Sequence, residues 1–96
     1  MPRVELSAAA IEDIARLTLT HRLPSDTNRR IQRSLKALGR FPRLGTELEG
    51  PGWEGLRFLL GPWRWMIVVY EVYDDERVVV LTVQDGRASG AATSAR

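Results

Sequence analysis

Arg57 is the residue whose setting most suggests chemistry. It stands inside Leu56-Arg57-Phe58-Leu59-Leu60, a run with strand character, and a cation among such neighbours is unusual unless it has a task. If Leu56, Phe58 and Leu60 turn toward the helices, two-residue alternation points Arg57 onto the opposite, open face of the sheet. An arginine fork there could grip phosphate oxygens two at a time. A half-exposed sheet with a solvated arginine is the plain alternative. Arg29, Arg33 and Lys36 follow i, i+4, i+7 spacing and form one basic stripe, which Arg40 and Arg43 extend. Such a stripe could hold RNA phosphates, with binding that falls steeply as salt rises; it could equally be a solvated helix face. Trp53, Trp63 and Trp65 could stack on splayed bases, or fill a small core or a partner's groove. Trp63 and Trp65 share strand parity with Ile67 and Val69, which favours burial. His21 sits near the end of the first helical segment, where the helix dipole favours a cation and a structural role suffices.

Several chemistries are excluded. The chain has no cysteine and one histidine, so disulfides, thiolate metal sites and histidine-based metal clusters are ruled out. No phosphate-cradling glycine loop or catalytic triad is present, and neither a metal nor a cofactor is expected. The net charge is +2 and the sequence pI about 9.7, with Lys36 the one lysine among 14 basic residues. Arginine is the better fork for phosphate and the better stacker on bases. No apolar run approaches the ~20 residues needed to span a bilayer, and Met1 to Leu6 lacks the apolar core of a signal peptide. A cytoplasmic protein without membrane contact is expected.

The elements that must position these residues follow from periodicity. Arg3-Val4-Glu5-Leu6 alternates as a short strand with Val4 and Leu6 inward. Ser7 suits a helix N-cap, and Ala8 to about Leu19 reads as a helix with Ile11, Ile14 and Ala15 on one face. Pro24-Ser25-Asp26 breaks it and can cap a second helix reaching about Leu38, with Ile31, Leu35 and Leu38 as its buried stripe and Gly39 as a left-handed C-cap. Arg40 to Gly52 reads as a long loop. Leu56 to Leu60, Trp63 to Tyr73 and Val78 to Val83 read as strands, with a polar turn at Asp74 to Arg77. Met66-Ile67-Val68-Val69 is apolar on both faces, so that strand is either central and covered twice or has one face awaiting a partner. The order is β-α-α-β-β-β, an α+β domain in which a helical hairpin packs on one face of a mostly antiparallel four-stranded sheet and the other face stays open. Residues 1–87 form the domain; Ala88 to Arg96 is small and polar and reads as a frayed tail.

This order, together with five local signals, resembles the RelE/ParE superfamily of bacterial toxins. Leu35-Lys36-Ala37-Leu38 followed by Phe41-Pro42-Arg43-Leu44-Gly45 is similar to the family's helix-end signature. Gly55-Leu56-Arg57 resembles the opening of its central sheet, and Gly61-Pro62-Trp63-Arg64 its glycine-aromatic-arginine element. Tyr70-Glu71-Val72 with Asp74-Asp75 and Val78 to Val83 resembles its final hairpin, and Arg87 falls where many members place an arginine after the last strand.

The resemblance implies the toxin of a type II toxin–antitoxin system, partnered by a cognate antitoxin. RelE-type members cut mRNA on the ribosome; ParE-type members poison DNA gyrase. The short helical hairpin with Leu23-Pro24 between its helices looks closer to the RelE side, which implies a metal-independent mRNA endoribonuclease with ribosome and mRNA as partners. Arg57 and Arg87 would then grip the scissile phosphate, with Arg64 assisting, and Arg29, Arg33, Lys36, Arg40 and Arg43 would dock on RNA. The sequence also departs from the RelE pattern. Arg64 lies six residues before Tyr70 rather than three, Leu59 stands where a lysine is frequent, and no aromatic residue or histidine follows Arg87. These departures favour the alternatives of a ParE-like gyrase inhibitor or a decayed member that only binds its antitoxin.

Overall fold

The computed structural model describes residues 2–87; the tail expected at Ala88 to Arg96 lies outside the described residues. Strand β1 (Arg3–Leu6) leads into helix α1 (Ala8–Thr20). The Ser7 hydroxyl caps α1 by accepting the Ala10 N–H at 3.0 Å and donates to the Leu81 carbonyl at 3.0 Å, so one side chain both starts the helix and pins it to the sheet. Ala10, Ile14 and Leu17 form the buried stripe of α1, whereas Ile11, expected inward, is 55% exposed. Ile11 lies one residue, and so ~100°, away from the Ala10–Ile14 line. Helix α2 (Thr27–Leu35) buries Ile31 and Leu35, then tightens into a 3-10 turn, Lys36–Gly39. With three residues per turn, Leu38 stays beneath Leu35 and is fully buried. Gly39 is therefore not the left-handed cap that the sequence suggests, and it is absent from the positive-φ residues.

The sheet has five strands in the order β1-β5-β4-β3-β2 rather than the four expected. The additional strand, β2 (Thr46–Glu47), lies within the segment read as loop and pairs antiparallel with Phe58 and Arg57. Two exposed residues are too short a run to carry any periodicity. The remaining strands are β3 (Leu56–Leu60), β4 (Met66–Asp74) and β5 (Arg77–Asp85). β1 runs parallel to β5 and every other pairing is antiparallel. β4 begins at Met66 rather than Trp63, because Trp63 to Met66 closes a turn with the Met66 N–H on the Trp63 carbonyl at 3.0 Å.

Both faces of the sheet's centre are covered. On one, the two helices and Leu38 pack against Met66, Val68, Tyr70, Val78, Val80 and Val83. On the other, Leu48 and Trp53 close over Leu56, Phe58, Ile67 and Val69. The second face is thus not the fully open surface expected from two helices alone. Positive φ angles at Gly50 (112°) and Gly52 (88°) turn the chain back so that Leu48 and Trp53 both reach the strands. β4 is consequently central and doubly covered, with Met66 through Tyr70 all buried.

Gly45, just before β2, is packed tightly against the sheet. Its N–H donates to the buried Tyr70 hydroxyl at 2.8 Å, and a Cβ there would lie 2.5 Å from the Phe58 carbonyl oxygen and 2.7 Å from the Tyr70 hydroxyl. Backbone cannot yield as a flexible side chain does. Gly45→Ala should therefore destabilise the protein by about 1–3 kcal/mol, read as a lower urea midpoint. Gly39→Ala, whose nearest contact would be an ordinary 3.6 Å, should leave the midpoint unchanged or raise it.

Candidate functional site

Arg57 points opposite to the sequence expectation. It pairs across the sheet with Tyr70, and Leu59 pairs with Val68; both partners belong to the helix-side core. Leu56 and Phe58 face the second layer instead. Arg57 lies beside the edge of the sheet, where the chain from Arg43 to Glu47 runs into β2. Its Nη1 donates to the Gly45 carbonyl at 2.8 Å and the Arg43 carbonyl at 3.3 Å, and its Nη2 to Glu47 Oε1 at 3.0 Å. The side chain is only 20% exposed. Arg57 thus fastens the chain that leads into β2 to the sheet beside Tyr70. Burial raises the pKa of the Tyr70 phenol, against the opposing influence of the Gly45 N–H and the Arg57 charge.

Arg87 is held at the far end of β5. Its backbone N–H and Nε donate to Asp85 Oδ1 at 2.9 and 3.0 Å, and its Nη2 donates to Oδ2 at 2.9 Å. Asp85 Oδ2 also lies 2.9 Å from His21 Nε2, at the end of α1. The Arg87 guanidinium holds the Asp85 carboxyl well below the usual carboxylate range; desolvation opposes this, while the Arg87 N–H and His21 reinforce it. The same bond raises the pKa of Arg87. His21 stacks on Trp65 at 4.5 Å between centroids, Trp65 stacks on Trp63 at 6.1 Å, and the Arg87 and Arg30 guanidiniums lie 5.2 Å from Trp65 and 5.9 Å from Trp63. Trp63 and Trp65 belong to the helix-side core rather than sharing a face with Ile67 and Val69. Strand parity does not apply to them, since they precede β4 in a turn.

Arg64 is exposed and makes no hydrogen bond or ion pair within the described residues. It rims, with Arg87, a shallow depression of about 390 Å³ whose other lining residues are Phe58, Leu60, Trp65, Ile67 and Gly86. Arg57 lines a different depression, of about 290 Å³, together with Arg43 and Glu47. The fold therefore brings Arg64 and Arg87 together and leaves Arg57 apart. Arg29, Arg33, Lys36, Arg40 and Arg43 are all exposed, on α2, the 3-10 turn and the segment that follows.

Sequence reasoning missed three sets of interactions. Arg30 packs on Trp63 and bonds Asp26 Oδ2 at 3.0 Å, and its i, i+4 spacing from Asp26 was the available signal. The bond from His21 to Asp85 spans 64 positions and left no local signal. Asp13 accepts from Thr82 Oγ1 at 2.6 Å, the Val83 N–H at 3.0 Å and Arg16 at 2.6 Å, tying α1 to the edge of β5 beyond the end of β1. Burial disfavours the Asp13 charge, but those three donors outweigh it and lower the pKa. Among the described residues no group of histidine and carboxylate side chains could hold a metal ion, and no helix is long and apolar enough to cross a membrane.

A helical hairpin on a five-stranded mixed sheet is compatible with the fold of the RelE/ParE toxins. The family model described as the ParE toxin of the type II toxin–antitoxin system parDE matches residues 4–89, and the chain belongs to that family. A search of curated proteins gave no match. As the toxin of a type II system, the protein has a cognate antitoxin as its partner.

Two outcomes follow from the site's bonds. Arg57→Ala should remove the clamp on the Gly45 and Arg43 carbonyls and lower stability by about 1–3 kcal/mol, measured by urea unfolding with the near-UV signal of the tryptophans. Folding depresses the carboxyl pKa of Asp13 and Asp85. Their contribution to stability is therefore complete above the ordinary value of 3.8 and is lost as pH falls through the lower folded values. Urea midpoints between pH 7 and 2 should decline below about pH 4, and Asp13→Asn should flatten that decline.

Proposed function

We propose that this toxin acts in the cytoplasm as a protein-binding poison of DNA gyrase, the ParE mode, rather than as an mRNA endonuclease of the RelE type. The observation that carries this reading is the dispersal of the candidate cations. Cleavage that relies on electrostatics needs fixed positive groups converging on one phosphate. Arg57 instead spends its donors on the Gly45 and Arg43 carbonyls and on Glu47, and faces the helix side of the sheet. Arg87 carries a carboxylate against its fork, so a phosphate reaching it would meet the Asp85 charge as well. The match to the ParE family points the same way. The endonuclease remains the second reading on one specific observation: Arg64 and Arg87 rim a single depression that Trp65 also lines, a phosphate grip beside a stacking surface.

The two modes separate in a paired assay with the purified toxin. With gyrase, ATP and relaxed plasmid, the expected result is lost supercoiling and accumulation of linear, protein-linked DNA. In a translation reaction followed by primer extension, the mRNA should stay intact. Cuts at ribosomal A-site codons, abolished in Arg64→Ala and Arg87→Ala, together with undisturbed gyrase, would overturn the proposal in favour of the endonuclease.

A further inference from the structure

We propose that the depression between Arg64 and Arg87 is the surface that grips the toxin's protein target, and that it takes an extended segment alternating acidic and apolar side chains. This rests on the protein-poison reading above and names the contact that reading requires.

Three features converge on it. The first is an apolar floor. Phe58, Leu60, Trp65 and Ile67 line the depression, and Leu60 is 50% exposed. The covering segment shields the neighbouring part of this sheet face through Leu48 and Trp53, packed on Leu56, Phe58, Ile67 and Val69; Leu60 is left outside that cluster. The second feature is charge. Arg64 has no partner among the described residues, and Arg87 reaches the same rim with 64% of its side chain exposed. Exposed ion pairs such as Arg87–Asp85 are weak enough to exchange one carboxylate for another.

The third feature is a free strand edge. The Leu48 N–H donates to the Leu56 carbonyl, so the Leu56 backbone faces β2. Two-residue alternation turns the Leu60 N–H and carbonyl to that same side. The Gly61 N–H, one residue on, turns the other way, onto the Met66 carbonyl of β4. β2 pairs only with Arg57 and Phe58, so among the described residues no strand runs alongside Leu60. An incoming extended segment can therefore bond the Leu60 backbone, set its apolar side chains on the Leu60 floor and direct carboxylates to Arg64 and Arg87. The floor argues against a phosphate backbone as the occupant. A nucleic-acid strand would leave the half-exposed Leu60 without apolar cover.

The test has two arms. The first uses a capped pentapeptide, Glu-Leu-Glu-Leu-Glu, and its lysine counterpart, titrated into isotope-labelled full-length toxin and followed by NMR. The acidic peptide should shift the Leu60 and Ile67 methyls and the Trp65 indole, and the lysine peptide should not. Arg64→Glu and Leu60→Asp should each weaken the acidic peptide at least tenfold, and Arg64→Gln less so. Arg64 is exposed and Leu60 half-exposed, so thermal midpoints should stay near wild type and confirm folding. No shift, shifts confined to the arginines of α2, or unchanged affinity in the folded variants would each overturn the proposal. The second arm repeats the gyrase assay with the same variants. If wild type poisons gyrase and both folded variants do so equally well, the docking inference is wrong and the gyrase reading stands. If wild type leaves gyrase untouched while the acidic peptide still binds the depression, the gyrase reading is wrong and the acidic-segment site stands.

Discussion

Five consecutive residues of β4, Met66 to Tyr70, lie in the interior, and a strand so placed must be covered on both sides. Two short helices cover one side. With a single hairpin available, the chain has to supply the second cover from the segment before β3. That need accounts for several otherwise unrelated features. Gly50 and Gly52 adopt positive φ angles so that Leu48 and Trp53 can both fold onto Ile67 and Val69. Gly45 has no room for a side chain because it passes against Phe58 and Tyr70. Thr46 and Glu47 pair with β3 as an added fifth strand. Arg57, on the helix side, bonds the Arg43 and Gly45 carbonyls and so fixes the chain that leads into β2 and the cover beyond it. A buried apolar side chain is worth ~1.5–3 kcal/mol when removed from water, so an uncovered Ile67 and Val69 would weigh heavily in a domain of this size.

The charges divide into two groups with different surroundings. Asp85 collects four donors from Arg87 and His21, which fixes the end of β5 against the end of α1 and against Trp65. The arginines of α2 and the following turn stay exposed, with Arg30 alone among them paired to Asp26 and packed on Trp63. A single chain of contacts, Arg30 to Trp63 to Trp65 to Arg87, joins the basic helix to the rim of the depression. Tryptophans used in this way are part of the scaffold. They stiffen the turn from Trp63 to Met66 that presents Arg64.

The same cover that completes the core also shapes the binding surface. It protects the sheet as far as Phe58 and stops, so Leu60 and its backbone edge are left beside two arginines. An unpaired edge next to an apolar patch is a hazard for a free protein. In a toxin with a cognate antitoxin, an unpaired edge can serve recognition.

Most of the scaffold was legible in the sequence. The helical stripes Ile31-Leu35-Leu38, the cap at Ser7, the strands Leu56 to Leu60 and Val78 to Val83, and the family resemblance all rest on local patterns that tertiary packing preserved. Apolar runs, caps and breakers act over a few residues, so the chain carries their signal directly. The orientation of Arg57, the separation of Arg57 from Arg87, the shared bonds of Asp85 with His21 and the cover by Leu48 and Trp53 were decided by tertiary structure. Parity within a strand says which residues share a face, but not which face meets the helices. That depends on the register of Arg57 opposite Tyr70 and on the cover the second face demands. A bond such as His21 to Asp85 joins positions 64 residues apart, and no local pattern encodes it. The sequence alone determined the helices, the longer strands and the family. Which side of the sheet each cation occupies, and what neutralises it, came only from closing both faces around β4.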